Sequence, residues 1–272
     1  MLGLLGVLYM VSVQFSWATS GLALGMFFLC SLSISGGYHR LYAHRAYRSS
    51  DIVRLLFLLF GAASFQASVL RWASDHRDHH AKTDLEDDPY NIKKGFWWAH
   101  MGWLLYKSPP TDFANAKDLR RDPLVGFQDR HYLSLALAVG LLLPTLIAWA
   151  WGDPVGGLMV AGFLRLLVQD HSTFSINSLA HTIGRRPYSV TVSARDSLLT
   201  ALLTLGEGYH NYHHRFPGDY RNGVRFYHYD PTKWCVWLLS KVGLTHELKR
   251  VPADLVRRAR EALLVPPAPT AP

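Results

Sequence analysis

Long apolar runs separated by polar, histidine-bearing segments set the pattern of this chain. Met1 to Ser35 is nearly free of charge, and Tyr132 to Trp151 and Val155 to Ile176 each approach the length needed to span a bilayer, about 20 apolar residues. The pattern predicts an all-α membrane protein: four transmembrane helices at about 1–15, 17–37, 132–151 and 155–176, in a single domain over 1–265. A further apolar stretch, 52–70, is interrupted by Arg54, Gln66 and two serines. If it crossed, it would put the histidines before it and after it on opposite sides. It is therefore predicted to lie along the interface or dip into one leaflet. Two spans need about 40 residues, and fewer precede His39; a missing N-terminal stretch is the expectation. The tail 266–272 is Pro/Ala-rich and reads as disordered.

Charge orients these spans. No Lys or Arg precedes Arg40, none lies in Gly152-Asp153-Pro154, and Arg165 is the one basic residue inside a predicted span. By the positive-inside rule the histidine-bearing side faces the cytoplasm. The net charge of +8 points to anionic headgroups or a phosphorylated substrate carrier; no nucleic-acid motif accompanies it. The nine tryptophans suit a membrane interface. The two cysteines, Cys30 and Cys235, have no CxxC partner and read as packing residues.

Eight of the 14 histidines fall in three clusters: His39 and His44 in HRLYAH, His76, His79 and His80 in HRDHH, and His210, His213 and His214 in HNYHH. HxxHH on a helix puts three rings on one face, and neutral imidazole is the commonest metal ligand. The count exceeds what one metal takes, so two metals are expected. His39 and His44 are five apart, about 140° around a straight helix; they either serve different metals or bracket a helix end. His181 ends NSLAH with Asn177 one turn earlier, a plausible ligand and water-mediated contact. Asp75 and Glu207 are read as outer carboxylates fixing imidazole tautomers. The acidic run Asp84, Glu86, Asp87, Asp88 reads as a turn with a solvated face. His100, His131, His171, His228 and His246 are set aside as structural. No GxGxxG, Walker pattern, nucleophile elbow or HPGG-type haem segment occurs.

GGYHRLYAHRAY, WASDHRDHH, NSLAH and GEGYHNYHHRFPGDYRNG closely resemble the integral-membrane acyl-CoA Δ9 desaturases, the stearoyl-CoA desaturase family, from about Gly36 to Val251. The resemblance implies a four-helix stem under a cytosolic cap. It also implies a di-iron centre held by His39, His44, His76, His79, His80, His181, His210, His213 and His214, with Asn177 reaching one iron through water. The reaction implied is insertion of a cis double bond into a saturated C16 or C18 acyl-CoA, using O₂ and two electrons. Trp72, Thr173 and Phe174 match positions at the bend of the family's substrate tunnel, and Lys107 is read as a candidate contact to the carrier's phosphates. Ser74 stands where animal members have Arg, and Phe174 where Trp is usual, which leaves the carrier and the tunnel shape open. Electrons would come from a ferredoxin or a cytochrome b5 with an NAD(P)H reductase. The compact chain suggests a bacterial inner membrane, with the site facing the cytoplasm. Alternatives are a desaturase of acyl-lipid or acyl-ACP, a hydroxylase of the same superfamily and, more distantly, a membrane metal transporter.

Overall fold

The computed structural model describes residues 2–106 and 112–264. Lys107 and the tail from 266 therefore lie outside the described residues. Helices dominate. The sheet among the described residues is one antiparallel pair, Arg48–Ser49 with Thr245–His246, in which Arg48 faces His246.

Two helices, Trp17–Ala43 and Tyr132–Trp149, are long and apolar enough to cross a membrane. The other two predicted spans come out differently. Leu2–Ser12 has only 11 residues, roughly 16 Å at 1.5 Å per residue, against a hydrocarbon core of about 30 Å. It packs on the helical segment Gly157–Leu164 at very close range: a Cβ on Gly6 would sit 2.4 Å from the Met159 carbonyl oxygen. The helix over 154–182 is long enough, but Arg165, Gln169, Asp170 and His171 interrupt its apolar surface.

Buried polar side chains hold these helices in place. Asp153, 2% exposed, accepts from Thr19 Oγ1 at 2.5 Å and Tyr9 Oη at 2.6 Å and caps Gly156 N at 2.9 Å. It thereby ties three helix ends together. Deeper in the bundle, buried Arg165 donates to the carbonyls of Ala63 and Gly140 at 2.9 Å each and to Gln169 Oε1 at 3.0 Å. Those carbonyls lie at the end of helix Asp51–Ala62 and in the π-helical turn Ala138–Leu142. Such sites leave backbone acceptors without helical partners, and a guanidinium with five donors serves several at once.

The apolar stretch 52–70 is not one element. Helix Asp51–Ala62 ends in a turn with positive φ at Phe65 (56°) and Ala67 (73°), and helix Val69–Lys82 begins after it. Ser68 caps the second helix by accepting from Arg71 N at 3.3 Å. The first helix is two-faced: Val53, Phe57 and Leu58 are buried, whereas Ile52, Leu55 and Leu56 are exposed. The central core packs Ile34, Tyr38, Tyr42, Leu58, Val69, Leu70 and Val125 together, directly behind the histidines.

Candidate metal centre

Four helical elements deliver the nine predicted histidines to one place. Helix Val69–Lys82 presents His76, His79 and His80, and the short helix His210–Arg215 presents His210, His213 and His214. The latter is anchored by Asp196, which accepts from the backbone N–H of Asn211 at 2.8 Å and Tyr212 at 3.0 Å. His181 sits in the last turn of the 154–182 helix.

His39 and His44 depend on an unusual winding. The last part of helix Trp17–Ala43, Ser33–Ala43, is π-helical, and His44 N bonds His39 O at 3.0 Å, an i→i+5 bond. That winding returns residues five apart to the same face. The two rings are 4.9 Å apart and belong to the same group. His44 is the capping residue of the π-helix, so the pair brackets the helix end, and both rings fall in one group of candidate donors.

The donors form two groups: His39, His44, His76, His80 and His213 in one, and His79, His181, His210 and His214 in the other. Within each group the donor atoms lie within 4.8 Å of one another. The fit to cations can be tested on the nitrogens. Glu207 Oε2 takes His39 Nδ1 at 2.9 Å and Asp88 Oδ1 takes His79 Nδ1 at 2.8 Å. His181 Nδ1 meets Ser193 Oγ at 2.7 Å. A carboxylate only accepts, so Nδ1 of His39 and His79 carries the proton and Nε2 keeps its lone pair. The Nε2 atoms of His79 and His181 are buried without any hydrogen-bond partner. Elsewhere Nε2 faces Nε2: His39 with His213 at 2.9 Å, His44 with His76 at 2.8 Å, His80 with His213 at 2.9 Å and His210 with His214 at 3.0 Å. His39 and His79 turn unprotonated Nε2 atoms into the two groups, and a cation placed among such nitrogens would be held by their lone pairs. The donor set fits two N-ligated transition-metal ions.

Electrostatics favour neutral rings. His44, His76, His80, His210, His213 and His214 are all held well below 6.5, first by burial and then by neighbouring charge. Burial pushes the Glu207 carboxyl up, but the charges of His39 and Arg40 and hydrogen bonds from His39 and Ser35 outweigh it and hold it well below the usual carboxylate range. Asp88 is lowered too: hydrogen bonds and charge from His79 and bonds from the Tyr90 and Asp84 backbone outweigh burial.

A cavity of about 370 Å³ opens beside the histidines. Trp72, Thr173, Phe174 and Asn177 line it, together with His39, His76, His79 and His210 and the apolar Ile34, Phe65, Trp103 and Leu104. Trp72 stacks on His76 with ring centroids 4.9 Å apart. Gln66 Nε2 donates to Thr173 Oγ1 at 2.9 Å.

Two carboxylate assignments need correcting. Asp75 does not orient an imidazole: it lies four residues from Arg71 on the same helix and accepts from its Nε at 2.8 Å. The acidic run is not merely a solvated face, since Asp84 and Asp88 are buried and reach His181, through Ser193, and His79. The available signal was position: the run follows the HRDHH helix immediately. His100 and His171 pair with each other at 3.0 Å, apart from the nine.

These features outline a class: a helical protein with two helices long and apolar enough to cross a membrane and nine histidines in two groups that could hold metal ions. Within it, the Fatty acid desaturase family model matches residues 15–243, and the chain belongs to that family. It is 46% identical to a Probable acyl-CoA desaturase of Schizosaccharomyces pombe and 45% identical to Acyl-CoA desaturase 1 of Saccharomyces cerevisiae. Each alignment covers 84% of this chain, and 48% and 45% of those proteins. It is also 36% identical to the Stearoyl-CoA desaturase of Sus scrofa, over 84% of this chain and 66% of that protein. The chain thus spans about half the length of the two fungal relatives. All three are eukaryotic, so the expected bacterial inner membrane draws no support from them.

Proposed function

We propose that the protein is an O₂-dependent fatty acyl-CoA desaturase that inserts a cis double bond, at Δ9, into C16 or C18 chains. The observation that carries this reading is the juxtaposition of two histidine groups with a mostly apolar cavity. In it the nine histidines hold two irons, with Asn177 contributing through water. When bound, the irons supply activation of O₂ for removal of hydrogen from an unactivated methylene.

The chain's own residues do the rest. An alkyl chain offers no polar handle, so position along it is read by shape. Trp72 and Thr173 line the cavity together with His76 and His39, and the Gln66 amide holds the Thr173 hydroxyl in place on that wall. Buried Glu207 and Asp88 hold the protons on His39 Nδ1 and His79 Nδ1, which turns both Nε2 lone pairs inward. The membrane arrangement proposed is one domain with crossings at Trp17–Ala43, Tyr132–Trp149 and the helix over 154–182, the short helix Leu2–Ser12 entering the bilayer beside them, helix Asp51–Ala62 lying at the interface and the histidine side in the cytoplasm. A ferredoxin, or cytochrome b5 with an NAD(P)H reductase, would supply the electrons.

The test is the fatty-acid profile of a host lacking Δ9 desaturation that expresses this chain or its His213→Ala variant. New cis-Δ9 C16 or C18 monoenes in the first and none in the second are expected. Unchanged lipids, despite an inserted, iron-loaded protein with a supplied donor, would overturn the reading. Hydroxylated chains would replace it with a hydroxylase.

A further inference from the structure

The two histidine groups do not share one electrostatic setting. Behind the five-histidine group, Glu207 receives Arg40 Nη2 at 2.8 Å as well as His39, and Arg40 also pairs with Asp230 at 3.0 Å. Lys233, 3% exposed, directs its ammonium to the carbonyls of Gly223, Arg225 and His228, three residues along the chain from Asp230. Two buried carboxylates are matched there by two buried cations.

The acidic turn behind the four-histidine group has no such match. Asp88 accepts from His79 Nδ1 through one oxygen and from Asp84 N, at 3.0 Å, through the other. Asp84, in the left-handed region at φ 65°, accepts the Ser193 N–H at 2.6 Å and its hydroxyl at 2.5 Å. Ser193 has one hydroxyl proton, and Asp84 takes it. His181 Nδ1–H must therefore donate to Ser193 Oγ, giving a relay from His181 through Ser193 to Asp84. Among the described residues no Lys or Arg forms an ion pair with Asp84 or Asp88. One group thus has a shell of balanced charge and the other a shell carrying two uncompensated carboxylates.

We propose that the Asp84–Asp88 turn makes the two metal positions unequal, so that an iron in the four-histidine group is oxidised before one in the five-histidine group. This inference rests on the di-iron reading above. Negative charge close to a metal stabilises its higher oxidation state, and a carboxylate-bound Nδ1–H makes an imidazole a stronger donor. The additional imidazole of the other group is neutral, whereas the turn brings two full charges. Asp88 acts through its hydrogen bond to His79, and Asp84 acts by its charge, which the Ser193 contact holds close to His181.

The experiment loads the whole chain with ⁵⁷Fe(II) without air and adds less than one equivalent of ferricyanide. Each ferricyanide takes one electron, converting one Fe(II) to Fe(III) and itself to ferrocyanide, and Mössbauer spectra follow both irons. In the wild type the ferric signal is expected to grow at the expense of one ferrous environment only, the one whose parameters change in Asp84→Asn. In Asp84→Asn and Asp88→Asn the preference is expected to fall at least tenfold, about 59 mV for a one-electron couple. Ser193→Ala, which removes the relay but neither charge, is expected to keep the preference. Oxidation spread evenly over both irons in the wild type, or a preference unmoved in both Asn variants, overturns the proposal. A wild-type chain that holds no pair of irons overturns the di-iron reading itself, and the inference with it.

Discussion

Helix Trp17–Ala43 and the helix over 154–182 both run from an apolar start to the histidine site, yet they wind differently where it matters. The first is π-helical over its last eleven residues, Ser33–Ala43. The second has its π-helical stretch earlier, Gly157–Leu164, and is α-helical from Arg165 to Thr182. The spacing of site residues explains the contrast. Asn177 and His181 are four apart, which an α-helix brings within about 40° of each other. His39 and His44 are five apart and face the same group only if the helix is wound wider. The π segment is held by what surrounds it: Tyr47 Oη donates to Gly36 O at 2.7 Å, and buried Arg40 bonds Tyr220 O at 2.9 Å as well as its carboxylates. Winding in this protein follows the ligands and is supported by the side chains around it.

Breaking that arrangement should have the largest effect. Deleting Gly37 would let Ser33–Ala43 relax towards an α-helix and carry Tyr38, in place of Gly37, to the face against Phe57, where even a Cβ lies 2.6 Å from the Phe57 Cβ. The expected result is loss of the metal held by the five-histidine group, from two irons per chain to about one, read by metal analysis after anaerobic loading. Two irons retained would mean that the winding is incidental.

Acid should come next, and it acts on both helices' partners alike. The six rings held below 6.5 stay neutral in the fold, while the unfolded chain takes up protons below about pH 6.5. The unfolded state then binds more protons, so stability falls as pH drops through that range and is unaffected above it. Bound metal competes with the same protons. Thermal unfolding of the metal-free chain, followed from pH 7.5 to 5.5, should show its melting temperature falling only in the lower half of the range; a flat profile would contradict the burial of neutral rings.

A smaller change should separate the second helix from the first. Arg165→Leu leaves the Ala63 and Gly140 carbonyls unpaired, at a cost of about 2–4 kcal/mol. Melting in detergent should drop by several degrees with iron content unchanged. The mildest variant, Tyr47→Phe, removes one buried hydrogen bond to the π segment and should cost about 1 kcal/mol, measured by the same melts.

Much of the site was legible before any coordinates. HxxHH spacing translates directly into one helix face, so the second and third clusters could be read as they stand. The partition into five and four could not, because it depends on a π winding that spacing on a regular helix argues against. Asp84 and Asp88 were hidden for a different reason. A run of acids before Pro89 has the composition of a solvated turn, and only the fold carries it back over His79 and against Ser193. Asp75 misled in the opposite direction, since its neighbour in sequence is a histidine but its partner in space is Arg71. In the stem, hydropathy located Trp17–Ala43 and Tyr132–Trp149. It joined what the left-handed turn at Phe65 and Ala67 divides, because a turn held by Arg165 and Gln169 leaves no mark on an apolar profile.

The central claim is that nine histidines hold two irons in two separate groups. Anomalous diffraction at the iron edge from the anaerobically loaded protein tests it most directly. The account predicts two peaks, one among His39, His44, His76, His80 and His213 and the other among His79, His181, His210 and His214. A single shared peak, or iron placed away from these rings, would contradict it.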